Sequence, residues 1–221
     1  MRRIATWLAA IIGFAAIATS SAISADPGIS AQDRADIGAL ITRQVWAGFY
    51  TKGDIRQAAI EQTQPPVRSK FDLDWIDQQL DAEWSRKRTA ETTWPLHTDF
   101  DRLDKVFTAL RSAGILALHN AGNTQSDARD DAIEEWHRLG GAKSGLKGFI
   151  FYHGQDVEHV MADGKLYIGF SVFPDSPAPA LELAQKTVLE LQKAGFAATA
   201  PLDVNSRILI TGIAWKKRNP G

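Results

Sequence analysis

The two histidines best placed for acid-base chemistry stand at matching places in the sequence. His119 follows the apolar run at residues 115–118, and His153 follows the run at residues 149–152. A histidine oriented by a carboxylate can serve as a general base, and side-chain amides can stabilise developing negative charge. Such groups follow both runs, so the sequence predicts a polar pocket. Its candidate residues are His119, Asn120, Thr124, Gln125, Asp127, His153, Gln155 and Asp156.

The same residue types also have ordinary structural uses. Asn120 and Thr124 can shape a tight turn, and Asp127 and Asp156 can cap helices. The histidines can hydrogen-bond loop carbonyls instead of acting as bases. Turn and cap roles account for most of the set without any ligand. A binding pocket and a purely structural cluster therefore both remain open.

The two histidines can share a site only if the elements before them end at the same edge of a sheet. Residues 115–118 and 149–152 have the pattern of buried strands. Between them, residues 126–138 predict an amphipathic helix, with acidic side chains in its first turn. A connection of this length suits a parallel pair with a right-handed crossover. Ligands in such sheets gather outside the carboxyl ends of the strands, which is where both histidines would lie.

The rest of the chain supplies helices around this unit. Residues 26–98 show helical periodicity and predict a helical segment. Residues 99–221 alternate helical patterns with short apolar runs and predict a mixed α/β domain. The fold class is therefore α+β, or α/β, with a mixed sheet and flanking helices. The first helix of the domain should bury one stripe, which comprises Phe100, Leu103, Phe107 and Leu110.

Residues 1–25 have the three parts of a secretory signal peptide. Arg2 and Arg3 precede an apolar run, and small residues ending at Ala25 follow it. The run is too short for a comfortable membrane span, so we expect cleavage after Ala25, with a cut after Ala22 as the alternative, and release of a soluble chain. The predicted localisation is periplasmic or secreted, with no membrane association after cleavage.

The composition narrows the classes of partner. Without Arg2 and Arg3 the mature chain carries 23 basic and 26 acidic residues, a net charge of −3, which gives no general attraction for nucleic acid. The chain has no cysteine, which excludes thiol catalysis and disulfides. The short basic run at residues 216–218 is expected to be a solvated tail.

One helix face has the spacing of a metal site. Asp130, Glu134 and His137 recur at helical intervals, and the last two form a Glu-x-x-His pair. Di-metal helical sites need that pair twice with further carboxylates, and this sequence has it once. We therefore expect a solvated acidic face, with no metal and no cofactor.

Several segments resemble an uncharacterised bacterial domain family of unknown function. The resemblance is carried by FDRL at residues 100–103, HNAGNTQSD at 119–127 and FYHGQD at 151–156. Residues 208–218, which end in WKKR, are similar to that family's C-terminal strand. The resemblance covers most of the mature chain and implies homology, but it implies no activity.

Two classes of function fit these features. The first is a non-catalytic protein that binds a small ligand or a protein partner in the cell envelope, for example an inhibitor or immunity-type protein. The second is a hydrolase-like enzyme with His119 or His153 as base, Asp127 or Asp156 as its orienting carboxylate, and the Asn120 and Gln125 amides as oxyanion donors. We favour binding, because the sequence offers a polar cluster but no activated nucleophile and no complete metal set.

Overall fold

The computed structural model of the protein describes residues 29–62, 69–174 and 177–220. The predicted signal peptide and its cleavage site before Asp26 lie outside these ranges. Within the described ranges, each helix is either too short or too polar to cross a bilayer.

Three helices form the N-terminal part of the described chain, and each begins where a hydroxyl side chain caps it. Ser30, Thr51 and Ser69 each accept a hydrogen bond from the backbone amide three residues later. The helices are Ala31–Ala47 (α1), Lys52–Glu61 (α2) and Lys70–Glu91 (α3). Their apolar faces pack into a cluster that includes Ile37, Ile41, Val45, Ile55, Ile76 and Leu80. This helical part agrees with the helical segment that the sequence predicts.

The remaining elements alternate helices with short strands. The helices are Asp99–Ser112 (α4), Gln125–Arg138 (α5), Gly154–Asp163 (α6) and Pro177–Lys193 (α7), with a 3-10 turn at Gly141–Lys143. The strands are Ile115–Leu118 (β1), Gly148–Phe151 (β2), Leu166–Val172 (β3), Ala197–Thr199 (β4) and Ile208–Thr211 (β5).

The five strands form one mixed sheet in the order β1-β2-β3-β5-β4. β1 and β2 are parallel neighbours, and the other three pairs are antiparallel. The crossover through α5 therefore makes the parallel pair that the sequence predicts, and the α+β fold class is confirmed. The carboxyl ends of β1 and β2, which precede His119 and His153, lie at one edge of the sheet.

Helices cover the sheet unequally on its two faces. One face packs against α4, α6 and α7 and forms the main core. The other face packs against α5 beside β1 and β2 only, in a smaller cluster where the helix contributes Ala128 and Ala132. On the same helix the larger Ile133 is 36% exposed, so the side chains that α5 buries against the sheet here are small.

The stripe predicted on α4 is largely confirmed. Leu103, Phe107 and Leu110 are buried in the main core. Phe100 is half-buried and contacts the rings of Phe49 and Trp215. It lies at the start of the helix, where the stripe reaches the boundary between the sheet and the helical part.

The chain after β5 differs from two expectations, the C-terminal strand over residues 208–218 and the solvated basic run at residues 216–218. The strand ends at Thr211 and does not continue to Arg218. Gly212 follows with a φ of 74°, and the amide of Ile213 then donates to the carbonyl of Gly164. Because Gly212 has a left-handed conformation, the chain turns away from the sheet, and pairing with β3 does not continue. The residues beyond, 214–220, are called the C-terminal tail below.

The C-terminal tail is packed on the helical part and is not a solvated basic run. Trp215 Nε1 donates to the carbonyl of Ala47, and Arg218 donates to the carbonyl of Pro95. Asn219 accepts a hydrogen bond of 2.6 Å from Lys87, whose side chain is fully buried. Charged side chains with specific partners hold this segment, and a count of charges in the sequence cannot reveal those partners.

Candidate functional site

His119 uses both ring nitrogens in hydrogen bonds to other side chains. Nδ1 lies 2.7 Å from the Tyr152 hydroxyl oxygen, and Nε2 lies 3.0 Å from Asp104 Oδ1. A neutral histidine has one donor and one acceptor nitrogen. Nε2–H therefore donates to the Asp104 carboxylate, and Nδ1 accepts a hydrogen bond from the Tyr152 hydroxyl. We call this chain of Asp104, His119 and Tyr152 the His119 relay.

Aromatic rings surround the relay and set its charge state. The His119 ring lies with its centroid 4.2 Å from that of Phe107 and 5.4 Å from that of Phe100. Burial lowers the pKa of His119 from its ordinary value of 6.5 to about 4, although Asp104 opposes this shift. Burial also raises the pKa of Tyr152 well above its ordinary value. Both groups are therefore neutral at pH 7.

The lowered pKa of His119 predicts a loss of stability in acid. The unfolded chain takes up a proton near pH 6.5, whereas the folded chain resists protonation until about pH 4. The contribution is fully present above pH 6.5 and is lost as the pH falls toward 4, by at most about 3 kcal/mol. Urea unfolding at several pH values should show this slope in the wild type and a flatter slope in His119→Gln. Equal slopes in the two proteins would contradict the prediction.

His153 is also held by its neighbours, in a different arrangement. It is the N-cap residue of α6, and its Nδ1 accepts a hydrogen bond of 3.4 Å from the amide of Asp156. Its Nε2 lies 3.1 Å from Asp156 Oδ2. Burial lowers the pKa of His153, which Asp156 opposes and Arg207 reinforces. The residue therefore serves as a neutral helix cap.

Asp156 is fully buried and joins two parts of the sheet. One of its oxygens accepts a hydrogen bond of 3.1 Å from the backbone amide of His153, which completes a capping box. The other oxygen accepts a hydrogen bond of 2.8 Å from Arg207, at the start of β5. Arg207 in turn lies over the ring of Tyr167, 4.8 Å from its centroid. The sequence predicts Asp156 as the cap itself, but the structure gives the cap to His153.

The loop after β1 uses its polar residues in the same way. Thr124 caps α5 and forms a capping box with Asp127, whose pKa its hydrogen bonds lower. Asn120 is buried with a φ of 50°, and its side-chain amide donates to the Tyr50 hydroxyl at 3.0 Å. Asparagine tolerates this left-handed conformation better than most residues. These are the turn and cap roles that a purely structural cluster predicts for these residues.

The two candidate glutamines project from the first turns of their helices. Gln125 and Gln155 are both exposed. Gln155 lines a shallow groove of about 670 Å³ between α1 and α6, together with His159 and Met161. Arg43 and Glu158 form an exposed ion pair of 3.4 Å beside this groove.

The two histidines share an edge of the sheet but not a cluster of partners. Side chains alternate between the faces of a strand, and the ladder places His119 beside Tyr152, one residue before His153. His119 consequently contacts Phe107 on the main-core side. His153 contacts Arg207 on the opposite face. The loops themselves do meet, because the amide of Gly154 donates to the carbonyl of Gly122 at 3.1 Å. The structure thus brings Asp127 near His153 and leaves His119 apart.

Sequence reasoning missed the partners that decide how both histidines behave. Tyr152 precedes a candidate residue directly, but a tyrosine at the end of an apolar run gives only a core signal. Asp104 lies one helical turn after Phe100, on the exposed border of a predicted stripe. Arg207 and Tyr50 are distant in sequence, so only the folded chain places them. The sequence carries no signal that His119 and His153 face apart, because both follow four-residue apolar runs. The one-residue offset comes from the register of the two strands, in which Leu118 pairs with Phe151.

The acidic face of α5 behaves as a charged helix surface. Glu135 is paired with Arg138, which lowers the pKa of the carboxyl group. Over the residues that the structure describes, no group of three histidine or acidic side chains is arranged to hold a metal ion. This statement includes Asp130, Glu134 and His137.

The comparisons with known proteins place the whole described chain in one family. No curated protein and no solved structure matches the sequence. The model of a family described as a domain of unknown function, DUF6891, matches residues 30–219 and so spans both the helical part and the sheet. The chain therefore belongs to the DUF6891 family.

Proposed function

We propose that this protein is an exported, soluble and non-catalytic binding protein of the inhibitor or immunity type, which acts on a protein partner in the cell envelope. Three observations support the proposal. The candidate histidine bases are engaged in internal hydrogen bonds, the N-terminal sequence has the pattern of an export signal, and an apolar side chain is presented on a hydrogen-bonded turn. The third observation carries the proposal and defines its contact surface.

The connection between β4 and β5 presents an apolar tip. Leu202 is 94% exposed there, and Val204 is 40% exposed. Between them, one carboxylate oxygen of Asp203 accepts hydrogen bonds from the amides of Asn205 and Ser206 and from the Ser206 hydroxyl. These bonds fix the turn, so a partner would pay little entropy to order it. A rigid loop with an exposed leucine is suited to insertion into an apolar pocket.

The edge of the sheet beside this tip is closed to strand addition. Gln192 donates its side-chain amide to the carbonyl of Ala198, and the amide of Ala198 donates to the carbonyl of Phe196. The middle of β4 therefore has both backbone groups occupied. A partner strand would find no free backbone groups to pair with at the middle of β4. We therefore expect the partner to contact the tip through side chains.

Replacing Leu202 by aspartate should abolish partner capture. Fully burying a leucine side chain contributes about 1.5–3 kcal/mol, so its loss from the centre of an interface should weaken binding by about tenfold or more. Immobilised mature protein is incubated with envelope extract of the source cells, and captured proteins are compared between the wild type and Leu202→Asp. Leu96→Asp is the matched control, since Leu96 is 82% exposed in a different part of the chain.

The decisive outcome is a captured protein whose binding requires Leu202 and does not require Leu96. The proposal predicts a band that is retained by Leu96→Asp and lost from Leu202→Asp. Equal capture by both variants, or equal loss from both, removes the tip as the contact surface.

Export makes a separate prediction about the N-terminus. The small residues before Asp26 and the short apolar run predict cleavage at that point. N-terminal sequencing of protein recovered from the envelope fraction should read Asp26 first. An intact Met1, or protein that stays with the membranes, would contradict export as a soluble chain.

A hydrolase-like enzyme is the second candidate, and one observation favours it. The His119 relay has the order carboxylate, histidine and hydroxyl that activates a nucleophile in many hydrolases. In this version Asp104, not Asp127 or Asp156, orients the base. Turnover of ester or phosphoester substrates by the mature protein, abolished by Tyr152→Phe and retained by His153→Gln, would favour the enzyme over the binding protein.

A further inference from the structure

The C-terminal tail covers the His119 relay with one ring and one cation. The ring of Trp215 lies 5.5 Å from that of Phe100 and 6.0 Å from that of Tyr152, as measured between centroids. The ammonium group of Lys217 lies 4.6 Å from the centroid of Phe100 and 4.8 Å from that of Phe49. A cation over an aromatic face is attracted to the ring, so Lys217 helps to hold the tail in place.

The tail runs close to the backbone of the helical part. A Cβ at Gly48 would lie 2.5 Å from the carbonyl oxygen of Lys217, and Gly48 itself has a φ of 80°. Only glycine satisfies both requirements at this position. Beyond this approach, the hydrogen bonds that hold the tail have a side-chain group at one end. Trp215 donates its indole proton to the carbonyl of Ala47. The backbone amides of Ala214 and Asn219 donate to the carboxylates of Asp99 and Glu91. Segments held in this way open more readily than segments in a sheet ladder.

The titratable and charged groups that face His119 come from three parts of the chain. α4 contributes Asp104 and Arg111, whose side chains lie 3.6 Å apart. Tyr152, the residue after β2, contributes a neutral hydroxyl, and the tail contributes the ammonium group of Lys217. Lys217 is itself attracted by Asp104 and by Asp101 at the start of α4.

Asp104 is therefore the carboxylate around which these cations gather. While His119 is neutral, the negative charge of Asp104 is available to Arg111 and Lys217. A proton on His119 adds a third cation directly against the same carboxylate, and this cation and Lys217 both lie beside the Phe100 ring. Like charges in a half-buried cluster repel strongly because water screens them poorly. Lys217 is the one of these cations that lies on a segment without regular structure.

We propose that protonation of His119 releases the C-terminal tail, so that the His119 relay works as an acid-sensitive latch. Opening withdraws Trp215 from Phe100 and Tyr152 and uncovers an aromatic surface between the helical part and the sheet. The latch is independent of the contact surface at Leu202, and it acts in the folded protein before global unfolding.

The indole proton of Trp215 reports on the latch without titrating itself. It is donated to the backbone carbonyl of Ala47, a group that does not titrate, so a change in its protection reports opening of the tail. Solvent exchange of this proton is followed by NMR in the mature protein from pH 7 to pH 3.5, with correction for the intrinsic exchange rate. The signal is assigned by its loss in Trp215→Phe.

In the wild type, protection should fall by about tenfold or more as the pH approaches the His119 pKa of about 4, because opening follows protonation. His119→Gln cannot take the proton and should keep its protection over this range. Lys217→Met removes the repelled cation but keeps an unbranched apolar side chain that can pack on Phe49 and Phe100, so this variant should also stay closed. Lys216→Met, the neighbouring control, should open like the wild type.

Two results would overturn the proposal. The first is a wild-type indole proton that stays protected at pH 3.5. The second is opening at the same pH in the wild type, in His119→Gln and in Lys217→Met, which would assign the change to the carboxylates of α4. If His119→Gln does not fold, the contrast between Lys217→Met and Lys216→Met still decides the matter.

Discussion

Replacing Asp156 by alanine is expected to cost about 3–5 kcal/mol of unfolding free energy, the range for breaking a buried ion pair by removing one partner. Asp156 is 0% exposed and pairs with Arg207 at 2.8 Å. Its removal leaves the guanidinium group without this partner, and it also removes the capping box at the start of α6. Chemical denaturation of the mature protein, with the free energy extrapolated to water, measures the loss.

Asp127 provides a matched control for this prediction. It holds the equivalent position in the capping box of α5, after the neighbouring parallel strand, but it is exposed, and its carboxylate accepts from the backbone amides of Asn123 and Thr124. Asp127→Ala should therefore lose only a helix cap and destabilise much less than Asp156→Ala. The pairing account would fail if the two variants lost the same stability. A variant that replaces both Asp156 and Arg207 by apolar residues should recover part of the loss.

Truncating Phe107 to alanine is expected to cost about 3–5 kcal/mol, as for other large aromatic residues in a core. Its ring is fully buried and packs edge-on against Tyr152 and beside His119. Thermal and urea unfolding should both show the loss. The cavity should also let His119 hydrate, so its pKa should rise toward 6.5 in this variant.

Lys105→Ala is the matched control on the same helix. Lys105 is exposed on α4, two residues before Phe107. Alanine is a good helix former, so this change should leave the unfolding midpoint nearly unchanged. A loss for Phe107→Ala no larger than that of the control would place α4 outside the core.

The parts of the fold that the sequence predicts well are those set by local patterns. The apolar runs before His119 and His153, with a helix of crossover length between them, were sufficient to predict the parallel pair. The stripe of Leu103, Phe107 and Leu110 follows from helical periodicity alone. Both patterns are formed by residues that are close together in the sequence, so they can be recognised without the structure.

The candidate site was predicted less completely because its chemistry depends on distant partners. His119 is neutral because Phe100 and Phe107 bury it, and its two hydrogen bonds go to a helix and to the next strand. His153 acts as a helix cap, a role that is more common for serine, threonine, aspartate and asparagine. The C-terminal tail was expected to be solvated because three basic residues in a row usually are. Its actual position depends on Gly48, Phe100 and Lys87, which lie more than 100 residues away.

We infer that the strand-end histidines are used internally and are not free to serve a ligand. The most direct test is an NMR titration of His119 in the mature protein, with the ring nitrogens labelled. We expect a neutral ring protonated on Nε2 at pH 7, with Nδ1 accepting a hydrogen bond, and a pKa of about 4. A ring that exchanges between tautomers and titrates near the ordinary value of 6.5 would contradict the account, because it would show His119 to be open to solvent and available as a base.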